Sequence, residues 1–178
     1  MTNFVFIATS LDGYIADRDG GLGWLEAVPN PEGDDGGFAA FMEHVDAVVL
    51  GRATFEAVVG FDVGWPYPKP GLVLSSTLDA VPAGFEDHVQ IAQGAPAEIV
   101  AIARGKGYRD LYIDGGRTVQ RFLADGLIDE MILTEVPVLL GGGTRLFGHL
   151  ERAEAFEFLG AEVIRAQLLQ KRYRRKRP

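Results

Sequence analysis

The chain has 178 residues, of which 47% are hydrophobic and 24% charged, which suits one domain over residues 1–178 with a sizeable buried core. It has no cysteine, which excludes disulfides, thiolate zinc sites and cysteine nucleophiles and fits a reducing cytoplasm. A net charge of −8 disfavours general nucleic-acid binding, and no apolar run is long enough to span a bilayer.

The N-terminal Met1-Thr2-Asn3 runs straight into an apolar strand without a basic segment, so no signal peptide is expected. That strand covers Asn3–Thr9, and Ser10–Asn30 follows as a long glycine-rich loop. Phe38, Phe41, Met42 and Val45 recur at helical spacing within Gly36–Val45. Short apolar strands are expected at Ala47–Leu50, Leu72–Ser75 and Val89–Ala92, the second preceded by the turn Trp65-Pro66-Tyr67-Pro68. Ala97–Arg104 reads as a helix with Ile99, Ile102 and Ala103 inward. Leu111–Ile113 reads as a strand, and Val119, Phe122 and Leu123 mark a helix closed by Gly126. Met131–Val138 and Val163–Tyr173 are the last strands. Alternating strands and helices predict a largely parallel sheet covered on both faces, with an antiparallel edge near the end.

Several chemistries are excluded by what is missing. The serines, Ser10, Ser75 and Ser76, do not form a nucleophile elbow, and His44, His88 and His149 lack metal-ligand spacing, so no metal is expected. There is no zinc-deaminase signature, no G-x-G-x-x-G after a strand, and no Walker A sequence.

What remains is a set of donors at strand ends, where open α/β sheets bind ligands. Gly51-Arg52-Ala53-Thr54 follows a strand. Glycine permits close backbone approach, Arg52 offers a planar fork for phosphate, and Thr54 can cap a helix or bond a phosphate oxygen. A capped helix start with a surface arginine explains the same residues. Ser75-Ser76-Thr77 is a turn by itself, and beside Arg52 it could complete a pocket for a ribose 2′-phosphate. Gly115-Gly116-Arg117-Thr118 joins a strand to a helix, which suits a pyrophosphate or, equally, a tight turn needing positive φ. Gly141-Gly142-Gly143-Thr144 reads as a hairpin or bulge. The last eight residues, Lys171–Pro178, hold six basic side chains; a solvated final strand with a frayed terminus competes with an anion-binding tail.

Four stretches in order carry a resemblance: SLDGYIA at Ser10–Ala16, LGRATFE at Leu50–Glu56, IDGG at Ile113–Gly116 and VPVLLGGGTRLF at Val136–Phe147. From Phe4 to about Phe147 the chain resembles the dihydrofolate reductase-like family that includes the reductase domain of bacterial riboflavin-biosynthesis enzymes. The resemblance implies a three-layer αβα fold around a mixed, mainly parallel sheet of about eight strands. It implies NADPH as cofactor, with Arg52 and Ser75 or Ser76 on the 2′-phosphate. Gly51 and Thr54 would meet the pyrophosphate from one side and Gly115, Gly116, Arg117, Thr118 and Val119 from the other. Ala8 and Ile15 would line the nicotinamide pocket. Asp114 stands where a third glycine is common.

Within that resemblance the substrate is a small pteridine- or pyrimidine-like heterocycle, as for a riboflavin-pathway reductase or a dihydrofolate reductase. Asp35 is a candidate acid whose pKa could be raised near Phe38 and Trp24, and capping of the following helix is its competing role. Asp12 is a second candidate acid, or a turn residue ordering a loop that closes over the cofactor. Thr134 matches a position that touches substrate, and Trp24, Phe38 and Phe61 would form an aromatic wall or belong to the core. The expected helix Gly36–Val45 has no basic side chain, which counts against a phosphorylated substrate. A homodimer through Val136–Leu140 and Gly141–Phe147 is the family habit. The rival classes are a nucleotide-binding module without turnover and an assembly role through the basic tail.

Overall fold

The computed structural model describes residues 1–61 and 63–177. Its centre is an eight-stranded sheet. In chain order the main strands are β1 (Thr2–Ser10), β3 (Ala47–Gly51), β4 (Gly71–Leu74), β5 (Val89–Ala92), β6 (Asp110–Asp114), β7 (Glu130–Val136), β9 (Phe156–Ile164) and β10 (Leu168–Arg175). They lie side by side as β5-β4-β3-β6-β1-β7-β10-β9. Six are mutually parallel, and β10 runs antiparallel to both β7 and β9. A ribbon formed by β2 (Tyr14–Ala16) and β8 (Thr144–Arg145) lies apart from the sheet. The helices are α1 (Phe38–Glu43), α2 (Arg52–Gly60), α3 (Pro96–Gly105) and α4 (Gly116–Ala124). The mainly parallel α/β fold expected from the sequence is the fold observed.

Strand parity decides which face each side chain meets. One face of the sheet, with Val5, Val49, Leu111 and Ile113, packs under Ile99 and Ala103 of α3 and Val119 and Phe122 of α4. The other, with Val48, Leu50 and Tyr112, packs under Phe41 and Met42 of α1 and Phe55 of α2. The near-continuous apolar runs of β3 and β6 reflect burial on both faces. Ile102, expected inward, is exposed, because Ile99 and Ala103 at i and i+4 already fill the face of α3 that meets the sheet.

The structure corrects other boundaries. The long loop after β1 is interrupted by β2 and by a 3-10 turn at Gly23–Ala27. The first helix begins at Phe38 rather than Gly36, since Gly36 and Gly37 have positive φ of 64° and 83°. The segment expected as one strand, Val163–Tyr173, is two strands that turn back at residues 165–167. No glycine or proline marks that turn. The glycine run Gly141–Gly143 is not a hairpin tip; it leads into β8, which pairs with the distant β2. No helix among the described residues is long and apolar enough to cross a membrane.

The basic tail is not a frayed end. Lys171, Arg172, Arg174 and Arg175 sit on β10, between two neighbours in the sheet, and Pro178 alone of this stretch lies outside the described residues. Lys171 pairs with Glu135, Arg172 with Glu162, Arg174 with Glu130, Arg175 with Glu154, and Arg177 with Asp129. Such pairs add little individually, but they account for the run of charge without a partner. Removal of residues 171–177 therefore deletes most of a strand internal to the sheet. A chain ending at Gln170 is expected to show no cooperative thermal transition by circular dichroism, and a normal transition would contradict the placement of β10.

Candidate active site

The C-terminal ends of the parallel strands converge on one edge of the sheet. Because β3 and β6 are neighbours, the turns that follow them lie side by side. A Cβ at Gly51 would come within 2.9 Å of the Thr118 hydroxyl, and one at Gly115 would overlap the Thr54 hydroxyl. Gly115 also has φ 87°, which side-chain-bearing residues rarely adopt. The two turns thus interlock through missing side chains, and the start of α2 meets the start of α4. The first N–H groups of α4, on Gly116, Arg117 and Thr118, have no intrahelical acceptor and face this edge with the positive end of the helix dipole. Val119 is different: its side chain is in the core and its N–H is taken by the Gly115 carbonyl at 2.9 Å.

At the end of β4 one of the predicted hydroxyls, that of Thr77, meets Arg52. Its guanidinium donates to the Thr77 hydroxyl at 3.0 Å and lies 3.5 Å from Glu56 on the next turn. Ser75 is buried, and its hydroxyl oxygen accepts from the N–H groups of Thr77 and Leu78, which fixes the turn. Ser76 is exposed beside it. Ile15, from β2, reaches the same edge from above, 3.1 Å from where a Gly116 Cβ would be. The structure therefore brings Gly51, Arg52, Thr54, Ser75, Ser76, Gly115, Gly116, Arg117, Thr118 and Ile15 to one edge of the sheet. Free helix N–H groups and an arginine bonded to a hydroxyl fit an extended phosphate-bearing cofactor along this edge. Among the described residues no three acidic or histidine side chains cluster to hold a metal.

Both predicted acids are turned to structural work. Asp35 accepts from Gly37 N and Ala39 N at 2.8 Å each, so it caps α1. These bonds, that from Ala39 foremost, hold its carboxyl below the usual range, against the raised value expected. Asp12 accepts from the Ser10 hydroxyl at 2.6 Å, from Leu140 N at 3.1 Å and from Gly141 N at 2.7 Å. The Ser10 bond leads in pushing its pKa down to about 2. Asp12 thereby staples the loop after β1 to the segment after β7.

The aromatic wall differs from the expected one. Trp24 packs with Ala8, Val28 and Val136 rather than with Phe38, and its indole nitrogen is buried without a partner among the described residues. Phe61 is exposed at the end of α2. Phe38 instead joins Phe6, Tyr67 and Tyr112, with ring centroids 5.6–6.3 Å apart. Thr134 lies beside Ala8 in register on β7, buried, with its hydroxyl oxygen accepting from Gln170 at 3.1 Å.

At the foot of this wall is an acid the sequence reading passed over. Asp114 ends β6 on the same face as Tyr112, immediately before the interlocked glycine. Its carboxylate accepts from Gly115 N at 2.8 Å and from the Tyr67 hydroxyl at 3.1 Å. The Tyr112 hydroxyl, which donates to the Phe6 carbonyl at 2.9 Å, is close by. Asp114 keeps some accessible surface, yet protein packs around it densely enough that desolvation outweighs its hydrogen bonds and raises its pKa. Burial first, then the negative charge of Asp114, raises both tyrosines too. The signal was present: an acid between an apolar strand and a glycine pair, where a third glycine is common.

The fold and this edge define a reductase-like α/β protein of the dihydrofolate reductase architecture. The chain belongs to the RibD C-terminal domain family, whose model matches residues 3–169. It is 53% identical to a putative riboflavin biosynthesis protein from Shewanella, with a TM-score of 0.96 over 99% of this chain and all of that one. An uncharacterised Bacillus subtilis protein, YwjB, is 35% identical over 160 residues, 89% of each chain. A dihydrofolate reductase from Enterococcus faecalis, solved with NADP(H) and RAB-propyl, shares the fold at 20% identity and a TM-score of 0.68, covering 99% of this chain and 97% of that one.

Two substitutions test this geometry. Gly115→Ala forces a Cβ into Thr54 at positive φ and should cost at least about 1–3 kcal/mol in urea unfolding. Asp114 has a raised folded-state pKa, so its contribution to stability is full at low pH and is lost as pH rises through that value. Asp114→Asn is neutral throughout. It should raise the melting temperature at neutral pH and leave it unchanged below about pH 3.9; destabilisation at neutral pH would mean the carboxylate is well solvated.

Proposed function

We propose that the chain is an NADPH-dependent reductase that delivers a hydride to a flat, unphosphorylated heterocycle of pteridine or pyrimidine type, with Asp114 as the acid on the substrate side. One observation carries the reading: an acid of raised pKa stands between an aromatic wall and the turn best suited to a pyrophosphate. Bound NADPH would supply the hydride. The chain would supply the rest. Arg52 with Ser75 and Ser76 would hold the 2′-phosphate, and Gly51, Thr54 and Gly115–Thr118 the pyrophosphate. Ala8 and Ile15 would flank the nicotinamide. Phe6, Phe38 and Tyr67 would stack against the heterocycle, and Thr134 would bond its edge. Asp114, its pKa raised by desolvation, would give a proton to the ring nitrogen as the neighbouring carbon accepts hydride.

The absence of phosphate from the substrate rests on charge. Helix α1 carries no basic side chain, and the loop before it carries Asp34 and Asp35. Arg165 offsets Asp34, so the repulsion an anionic substrate tail would meet there comes from Asp35. The same reading places the protein in the cytoplasm, where NADPH is available, and as a homodimer. Leu139 and Phe147, both exposed, stand in the expected interface.

A fluorescence titration with NADPH and NADH tests the cofactor, and Arg52→Ala sharpens it. The variant should lose about 10- to 150-fold in NADPH affinity, the worth of a charge-assisted bond, with NADH almost unaffected. Equal losses would remove Arg52 from the 2′-phosphate. Asp114→Asn should lower turnover by about 10²- to 10⁴-fold while NADPH affinity stays within a few fold. Full NADPH binding with no oxidation by any dihydropterin or aminouracil would favour a binding module instead.

A further inference from the structure

The hairpin between β9 and β10 turns through Arg165 and Ala166, with φ of 48° and 58°. Among the described residues these are the two non-glycine positions with positive φ. Left-handed backbone is unfavourable for a side-chain-bearing residue, and Asn-Gly is the ordinary occupant of such a turn. The strain directs one side chain. The Arg165 guanidinium crosses to the loop ahead of α1, where Nη2 donates to the Asp34 carbonyl and Nε lies 3.9 Å from the Asp34 carboxylate. The arginine side chain is 20% exposed at this contact, so solvent screens it only in part.

Asp34 is the knot of its loop. Its N–H donates to the Asn30 side chain at 2.9 Å, its carbonyl accepts from the same side chain at 3.0 Å, and its carboxylate accepts from Gly36 N at 2.8 Å. Gly36 then accepts at its carbonyl from Gln170 at 2.9 Å, and Gln170 also donates to Thr134. Next in the chain, Asp35 caps the helix that begins with Phe38. Fixing Asp34 therefore fixes the path to Phe38 on one side of the cleft and to Thr134 on the other.

We propose that Arg165 is a positioning residue: the strained hairpin aims its guanidinium at Asp34 and so holds the loop 30–37, with Phe38 behind it, across the substrate side of the cleft. The assignment of that side rests on the reductase reading; the latch itself does not.

The test compares Arg165→Ala, Arg165→Lys and Ala166→Gly in the full chain by amide hydrogen exchange, thermal melting and NADPH titration. Arg165→Ala should speed exchange at Gly36–Ala39 about tenfold, the worth of one charge-assisted bond, with the rest of the sheet, the melting temperature and NADPH affinity little changed. Arg165→Lys, which keeps the charge but not the fork, should restore part of the protection. Ala166→Gly should relieve strain and raise the melting temperature without loosening the loop. With a 7,8-dihydropterin as acceptor, Arg165→Ala should raise KM several-fold at unchanged kcat. Unchanged loop exchange would overturn the proposal, as would faster exchange spread over the whole sheet with a lower melting temperature. A wild-type chain that binds no NADPH would overturn the reductase reading, while the exchange result still decides the latch.

Discussion

Everything at the cleft depends on two places where a Cβ is not allowed. The turns after β3 and β6 approach because Gly51 lies against the Thr118 hydroxyl and Gly115 against the Thr54 hydroxyl. That approach sets the starts of α2 and α4 beside each other and points two sets of uncommitted N–H groups at one edge. It also fixes Asp114, since the residue before Gly115 has little freedom once the turn is locked. A parallel sheet with both faces covered offers no other edge where backbone can meet a ligand so closely.

The second constraint is electrostatic. A desolvated carboxyl beside Tyr67 and Tyr112 is expensive to ionise, and its hydrogen bonds recover only part of the cost. A chain shaped for stability alone would have an apolar or amide side chain there. Keeping an acid at the wall of a cleft is a pattern of functional sites. Asp12 and Asp35 show the opposite arrangement: both are exposed to backbone donors, both are held ionised, and both hold loops rather than protons.

The sequence made the sheet legible because its strands are buried on both faces and read as short apolar runs ending in glycine or hydroxyl. The glycine turns and Arg52 were legible for the same reason: their chemistry sits at strand ends. The hairpin at Arg165-Ala166 was not, because its turn is held by a long-range contact to Asp34 rather than by a local turn residue. The basic tail was legible as part of the last strand, but not its pairing with Glu130, Glu135 and Glu162, which depends on register that no local pattern reveals. Asp35 and Trp24 looked like one site because they are near in sequence. Asp114 and Tyr67, 47 residues apart, are the pair the fold brings together.

The state of Asp114, a desolvated acid beside the Gly115 turn, can be measured directly. Carbon-13 labelling of aspartate, with Asp114→Asn to assign the resonance, would follow its carboxyl through a pH titration. A midpoint above the ordinary aspartate value of about 3.9, moving on addition of NADPH, is expected. A midpoint at or below the ordinary value, indifferent to NADPH, would contradict it.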